Sequence, residues 1–470
     1  MHVAKGWFGS LVAFVVVLAV AHQAPAAEPL PAELRLGIDA AVADMLAKSG
    51  APSASIAVVK DGAIAYEHPY GLARLEPKLP ATSAMRYSIG SISKQFTATA
   101  ILMLAEEGKL SLDDKLVRWL PDLTRANGVT IRQILSMTSG YQDFWPEDYV
   151  MPMMLEPATP QGILDRWARK PLDFEPGTKW QYSNTNYVIA GLIVERISGM
   201  PLMDFLQKRV FTPLRMTTVM DTDQAPLGPE EPTRYMRYAL GPPRTAPKEG
   251  KGWMYAAGEL AMTAHDLAMW NVSVIDQTLM QPASYRELET EVRLTSGVGT
   301  RYGLGVSVAM TDGRRRITHG GEVSGFTAQN NVYPDDRAAV SVMTNLDATN
   351  ASDEVATKIA NLLFASTDRE KDKALDLARK VFEDLRHGRI ERSLFTANAN
   401  SYFTDQALKD FAASLAPLGA WKEFTQQSQS LRGGMTLRRY TVRFPKQTLR
   451  ITTFWMPDGM LEQYMVAAAE

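Results

Sequence analysis

The chain has 470 residues, 46% of them hydrophobic, and 50 Lys and Arg against 52 Asp and Glu leave a net charge of −2. That is enough chain for two or three domains with a substantial core, and the balanced charge offers no footing for nucleic acid or an anionic membrane surface. Cysteine is absent, which excludes disulfides, a thiol nucleophile and thiolate metal ligands.

The N-terminus opens with Lys5, an apolar run at residues 14–21 (FVVVLAVA) and the small-residue stretch Ala24-Pro25-Ala26. This is the pattern of a signal peptide over residues 1–26, with an uncleaved anchor as the alternative, since the run is short for a membrane span. The expectation is an exported protein, periplasmic or secreted, with no integral membrane segment after cleavage. Without disulfides its core alone must hold the fold.

Next, Leu34, Ile38, Val42, Met45 and Leu46 recur at helical spacing and Gly50 offers a stop. SASIAVVK and AIAYEH then flank Asp61-Gly62, a hairpin signal. Strand patterns return near residue 300 in GLGVSVAM, RRITHGG, GFTAQNNVYP and AAVSVMTN, followed by a helix carrying Val355, Ile359, Leu362 and Leu363 on one face. The middle, about residues 91–280, is mostly helical with long loops. These elements predict an α/β lobe, its antiparallel sheet built from both ends of the segment with both terminal helices against it, and a helical lobe inserted between. A cleft between such lobes is the expected place for a site.

A polar stretch, STDREKDK, reads as a linker. Beyond it, helical patterns at 374–386, 390–394 and 404–415 precede the strands WKEFTQQSQ, TLRRYTVRF, TLRITTFWM and MLEQYMV. The expected organisation is therefore a leader at 1–26, a main domain at 27–366 and a small α+β accessory domain at 374–470, loosely cystatin-like or NTF2-like. Its aromatics Tyr440, Phe444, Phe454, Trp455 and Tyr464 fall on strands and read mainly as core.

Three short stretches carry chemistry. In YSIGSISKQF, Lys94 stands three residues after Ser91 at the head of an apolar helix. A lysine there is costly without a partner or a task. A serine hydroxyl needs a base before it becomes a nucleophile, and a lysine one turn on can be that base. Read blandly, Ser91 caps the helix and Lys94 snorkels to solvent. The second stretch is Tyr182-Ser183-Asn184, in a polar loop before an apolar helix. A phenol beside an ammonium is expected to have its pKa lowered and to shuttle protons, while an Asn amide can hold both a substrate carbonyl and Lys94. The third is His319-Gly320-Gly321 at a strand end, where glycines admit close backbone approach and free N–H groups can serve an oxyanion. Taken singly, the second and third stretches also read as a helix cap and a hairpin turn. The histidines after the leader (His68, His265, His319, His387) are scattered with no H-E-x-x-H, so no metal or cofactor is implied.

In this order the three stretches resemble the serine β-lactamase/penicillin-binding fold, most of all its class C β-lactamase-like branch of DD-peptidases, D-aminopeptidases and esterases. Leu135-Ser136-Met137-Thr138-Ser139-Gly140 resembles the family's L-L-x-H-T-S-G segment, with Met137 where histidine is usual. Ala257-Gly258-Glu259-Leu260 with Thr263-Ala264-His265-Asp266-Leu267 resembles its G-G-x-x-S/T-x-x-D-L element, in which Thr263 and Asp266 also read as a helix N-cap and its reciprocal partner. The resemblance covers about residues 34–365. It implies Ser91 as nucleophile, Lys94 as base or relay, Tyr182 as proton shuttle, Asn184 as orienter of substrate and Lys94, and His319 with Gly320 and Gly321 as the third motif. The oxyanion donors would be the backbone N–H groups of Ser91 and Glu322. The implied activity is an acyl-enzyme hydrolase of esters, amides or D-amino-acid peptides, with a small molecule or short peptide as substrate. A penicillin-binding DD-peptidase or β-lactamase is the alternative, and a sensor or scaffold module is the non-enzymatic one. Gly320 offers no hydroxyl, and a Glu322 side chain facing the cleft would repel a substrate carboxylate.

Overall fold

The computed structural model describes residues 29–311, 313–364 and 370–469, so the expected leader lies outside the described residues. Two compact units divide the chain, one ending at Phe364 and the other beginning beyond it.

In the first unit, α1 (Ala32–Ser49) stops at Gly50, whose φ of 74° takes the left-handed turn that glycine tolerates. Then come β1 (Ser53–Lys60), β2 (Ala63–Arg74), α2 (Lys94–Glu106), α3 (Asn184–Ser198) and α4 (Ala264–Asp276). The chain returns through β3 (Ser307–Thr311), β4 (Arg314–Val323), β5 (Phe326–Tyr333) and β6 (Ala338–Thr344) to α5 (Ala351–Leu363). One seven-stranded sheet runs from the short strand Leu79–Pro80 through β2, β1, β6, β5, β4 and β3, and every neighbouring pair is antiparallel. The two ends of the segment meet at β1 and β6, where Ile56 faces Val342 and Val58 faces Val340.

Alternation sorts these strands into two apolar faces. Ile56, Val58, Val340 and Val342 pack with Ile38 and Val42 of α1 and Val355 and Ile359 of α5. Ala57, Val59, Ala339 and Met343 join the larger core of the helical region. Both sides of β1 and β6 are therefore covered, which is why they read as nearly continuous apolar runs. The third strand pattern begins later than expected, at Ser307 rather than near Gly303.

The second unit opens with α6 (Lys371–Arg386), three residues ahead of the expected start. Residues 390–394 supply only a 3₁₀ turn, Arg392–Leu394. A short α7 (Ala397–Tyr402), absent from the sequence expectation, is capped by Thr396, whose hydroxyl accepts the Ala399 N–H. After α8 (Asp405–Leu415), four strands, β7 (Glu423–Arg432), β8 (Met435–Arg443), β9 (Thr448–Trp455) and β10 (Leu461–Ala468), form an antiparallel meander in chain order. Phe382 and Leu385 of α6 pack on Phe424, Tyr440, Ile451 and Tyr464. Tyr440, Phe444 and Tyr464 are core, as expected; Phe454 and Trp455 are half-buried.

Candidate active site

Helix α2 is buried from Lys94 to Leu104, all the way round, so it runs through the middle of its unit. A 3₁₀ turn, Gly90–Ser93, leads into it. Three residues per turn eclipse positions i and i+3, and Lys94 Nζ lies 2.9 Å from Ser91 Oγ. Lys94 does not snorkel: its side chain is fully buried. Its nitrogen also lies 2.8 Å from Asn184 Oδ1 and 2.8 Å from the Ala257 carbonyl. Both of those oxygens can only accept, so they use two N–H groups. A neutral amine then has one lone pair left, and it faces the Ser91 hydroxyl.

Tyr182 donates its hydroxyl to Ser91 Oγ at 2.7 Å. The loop carrying it is pinned on both sides to Met137. The Gln181 N–H reaches the Met137 carbonyl at 3.0 Å, and the Ser183 N–H reaches its sulfur at 3.4 Å. Asn186 Nδ2 contacts the same sulfur at 3.6 Å. Methionine thus serves as an acceptor beneath the tyrosine loop.

Strand β4 closes the site. Its pairing with β3 ends at Thr318 and Ser307, so the edge from His319 to Val323 is open to the Gly90–Ser93 turn. The approach is close enough to require glycine on both chains. A Cβ on Gly321 would lie 1.9 Å from the Ile89 carbonyl oxygen, and one on Gly90 would lie 2.7 Å from the Glu322 nitrogen. The backbone N–H groups of Ser91 and Glu322 meet at this corner, and both residues line the cleft.

Burial decides the charge states. It pulls the Lys94 ammonium from its ordinary 10.5 down to about 7, against the opposing fields of Asp143 and Glu259. Burial likewise pushes the Tyr182 phenol up, despite its bond to Ser91, and the Asp143 charge adds to the rise. This corrects the sequence expectation of a lowered phenol: desolvation outweighs the neighbouring amine, and Tyr182 stays a neutral donor. His319 is pushed down to about 4 by burial and by Lys94. Its Nδ1 lies 2.5 Å from the Gly320 carbonyl and its Nε2 lies 3.0 Å from the Tyr302 hydroxyl. A carbonyl only accepts, so Nδ1 carries the proton and Nε2 accepts from Tyr302. His319 is a neutral, oriented ring rather than a cation at neutral pH.

Asp143 was not legible as a site residue. It sits in the loop after Gly140, with no spacing to mark it. Its Oδ1 accepts the Asn184 N–H at 2.8 Å and its Oδ2 accepts Asn184 Nδ2 at 3.3 Å. That fixes the amide with its oxygen toward Lys94. The Thr263 cap accepts the Asp266 N–H at 3.3 Å, but the expected reciprocal bond is not made. Asp266 Oδ2 instead accepts the N–H and hydroxyl of Thr218, both at 2.7 Å, tying a loop to the helix start.

Ser91, Tyr182, Asn184, His319, Gly320, Gly321 and Glu322 line one cleft of about 1150 Å³, and Lys94 supports it from behind. The same cleft is lined by Glu147, Asp148, Asp347 and Asp353, with Arg237 the one guanidinium among its described lining residues. Glu322 points into it, its Oε1 accepting the Ala348 N–H at 2.8 Å. Burial raises its pKa above that of a free carboxyl, offset by that bond, and Asp347 and Asp148 raise it further.

The model of the Beta-lactamase family matches residues 38–363. Penicillin-binding protein 4* of Bacillus subtilis (strain 168) is 28% identical over 348 residues, 70% of this chain and 76% of that protein. A D-aminopeptidase of Brucella anthropi is 30% identical over 329 residues, 68% of this chain and 60% of its own length. The structure of a D-amino acid amidase from Ochrobactrum anthropi SV3, complexed with D-phenylalanine, superposes with a TM-score of 0.64. It is 24% identical, and the match covers 71% of this chain and all of that one. No helix among the described residues is long and apolar enough to cross a membrane.

Proposed function

The chain belongs to the beta-lactamase family of serine hydrolases, and from that premise we propose that Ser91 is its nucleophile, cleaving the amide or peptide bond of small substrates that carry a free amine. Neutral Lys94 takes the Ser91 proton as Oγ attacks the carbonyl carbon. The N–H groups of Ser91 and Glu322 receive the oxyanion. Tyr182 gives its proton to the departing amine and is reprotonated by the Lys94 ammonium, which returns to the neutral amine. A water then enters, gives a proton to Lys94 and attacks the acyl carbon; the bond to Ser91 Oγ breaks, Oγ takes that proton back from Lys94, and the acid leaves. Asn184 holds the substrate with the amide hydrogen that Asp143 leaves free.

The observation that carries this reading is the pair of contacts on Ser91 Oγ, 2.9 Å to Lys94 and 2.7 Å to Tyr182, set at the base of an acidic cleft. The carboxylates of that cleft favour an ammonium and oppose a carboxylate. The names of the D-aminopeptidase and D-amino acid amidase relatives agree with an amine-bearing, D-configured substrate. Arg237 on the cleft wall favours a second reading, a penicillin-binding enzyme that takes a carboxylate there. The leader pattern supports export, which N-terminal sequencing of protein recovered outside the cytoplasm would check.

Hydrolysis of D-phenylalanine amide and its N-acetyl form is the discriminating comparison, run beside benzylpenicillin acylation followed by intact mass. The free amine should be preferred by about tenfold or more, as loss of a charge-assisted contact implies. Ser91→Ala should end turnover with the thermal melt unchanged. Equal rates on both amides would overturn the amine preference, and residual turnover in Ser91→Ala would remove Ser91 from its role.

A further inference from the structure

We infer that a second cleft, lined by Asp223 and Glu259 and separate from the Ser91 site, binds a small organic cation. It is a cavity of about 420 Å³ between the segment 157–160, the chain at Pro201–Met203, and residues 221–224 and 251–259. Four carboxylates line it, Glu195, Asp221, Asp223 and Glu259, with Lys251 the one cation among its described lining residues. Glu259 carries the argument. Its side chain is only 2% exposed, and Oε2 has no hydrogen-bond partner. A buried carboxylate oxygen left unpaired is expensive, and a donor entering the cleft would remove that cost.

The other carboxylates are positioned but not neutralised. Asp223 Oδ2 accepts the Tyr255 N–H at 2.8 Å, and Asp221 Oδ1 accepts the N–H groups of Asp223 at 2.7 Å and Gln224 at 3.2 Å. None of the four makes an ion pair among the described residues, although Lys248 lies near enough to lower the pKa of Asp223 and Asp221. Burial first, then the neighbouring carboxylates, holds Asp223 up at about 6 and Glu259 well above its ordinary value.

The walls select the ligand class. Leu202, Met203 and the Tyr255 ring add apolar lining beside the carboxylates. The volume far exceeds the ~30 Å³ share of one water. Among the described residues no three carboxyl or imidazole groups converge as metal ligands do. Carboxylates interspersed with apolar and aromatic lining suit an ammonium on a methylene chain.

The test is calorimetric titration of the full chain with 1,4-diaminobutane near pH 6.5, in two buffers of different ionisation enthalpy. Binding should occur with net proton release, because the bound ammonium favours the ionised form of Glu259 and Asp223. Glu259→Gln should weaken it by about tenfold or more. Met203→Trp, which fills the slot without touching the charges, should weaken it too, with thermal melts confirming that both variants fold. Asp353→Asn, in the Ser91 cleft, should leave the Glu259-dependent component of binding unchanged. Absence of binding at millimolar diamine, binding of magnesium chloride alone, or loss through Asp353→Asn but not Glu259→Gln would each overturn the inference.

Discussion

Asp143→Asn should lower the acid limb of the pH–rate profile. The substitution keeps an oxygen for the Asn184 N–H and removes one negative charge. Asp143 is first among the carboxylates that hold up the Lys94 pKa, which burial has brought to about 7. The two groups are separated by one amide, 2.8 Å from Lys94 to Asn184 and 3.3 Å from Asn184 to Asp143. At a charge separation of roughly 7 Å and an effective dielectric constant of about 20, the lost attraction is about 2 kcal/mol. That equals roughly 1 to 2 pKa units. Losing a negative neighbour disfavours the ammonium, so the pKa falls and more enzyme is in the neutral-lysine form below pH 7. The midpoint of kcat/KM against pH for an amide substrate should therefore move from near 7 to about 5–6. The plateau can fall as well, because Asn184 is less firmly held, but its height does not enter the midpoint. A midpoint that stays in place or moves upward would refute the reasoning.

Tyr182→Phe should reduce kcat on amides by about 10²–10⁴ and far less on an activated ester, whose leaving group needs no proton; equal losses on both would deny Tyr182 the donor role. Glu322→Ser keeps the backbone N–H and removes the cleft-facing charge, so acylation by benzylpenicillin should rise by about tenfold, the scale of one like-charge contact near the surface; an unchanged acylation rate would clear Glu322 of the exclusion. Lys94→Met should flatten the pH dependence of stability. With a folded pKa pushed down to about 7, wild-type Lys94 binds more protons unfolded than folded between roughly pH 7 and 10, so stability rises with pH across that window. Urea melts at pH 7 and 9 should show a smaller difference in the variant, and an equal difference would mean that Lys94 is not held neutral.

The sheet was readable because its strands alternate and are punctuated by tight turns, and because β1 and β6 carry residues for both faces. Helix α2 was readable for the opposite reason: an apolar run with one lysine has few places to sit except the interior. What escaped were features set by end effects. Thr396 caps a helix of one and a half turns whose own sequence, ANANSY, has no apolar stripe. Residues 390–394 have apolar side chains but too few of them to extend past a 3₁₀ turn. Asp266 found Thr218, a residue 48 positions away, where local pattern suggested its own cap.

At the site, residue types were legible and their charge states were not. A sequence shows that Tyr182 and His319 stand near a lysine in kind; it does not show how much water is removed from all three. Removing it inverts the expectation for the phenol and takes the charge from the imidazole. Above about pH 7 the site is then neutral: an amine with one lone pair, a phenol that keeps its proton, and a ring fixed by two hydrogen bonds. Negative charge lies instead at Asp143, which holds the amine's pKa up against the larger effect of burial, and at Glu147, Asp148, Glu322, Asp347 and Asp353 along the cleft. On the proposed mechanism, substrate charge would be sorted before the carbonyl reaches Ser91, and the oxyanion would form where two N–H dipoles, not a counter-ion, receive it. Selection and chemistry would then draw on different groups of the same cleft, Glu322 lending its carboxylate to the first and its N–H to the second.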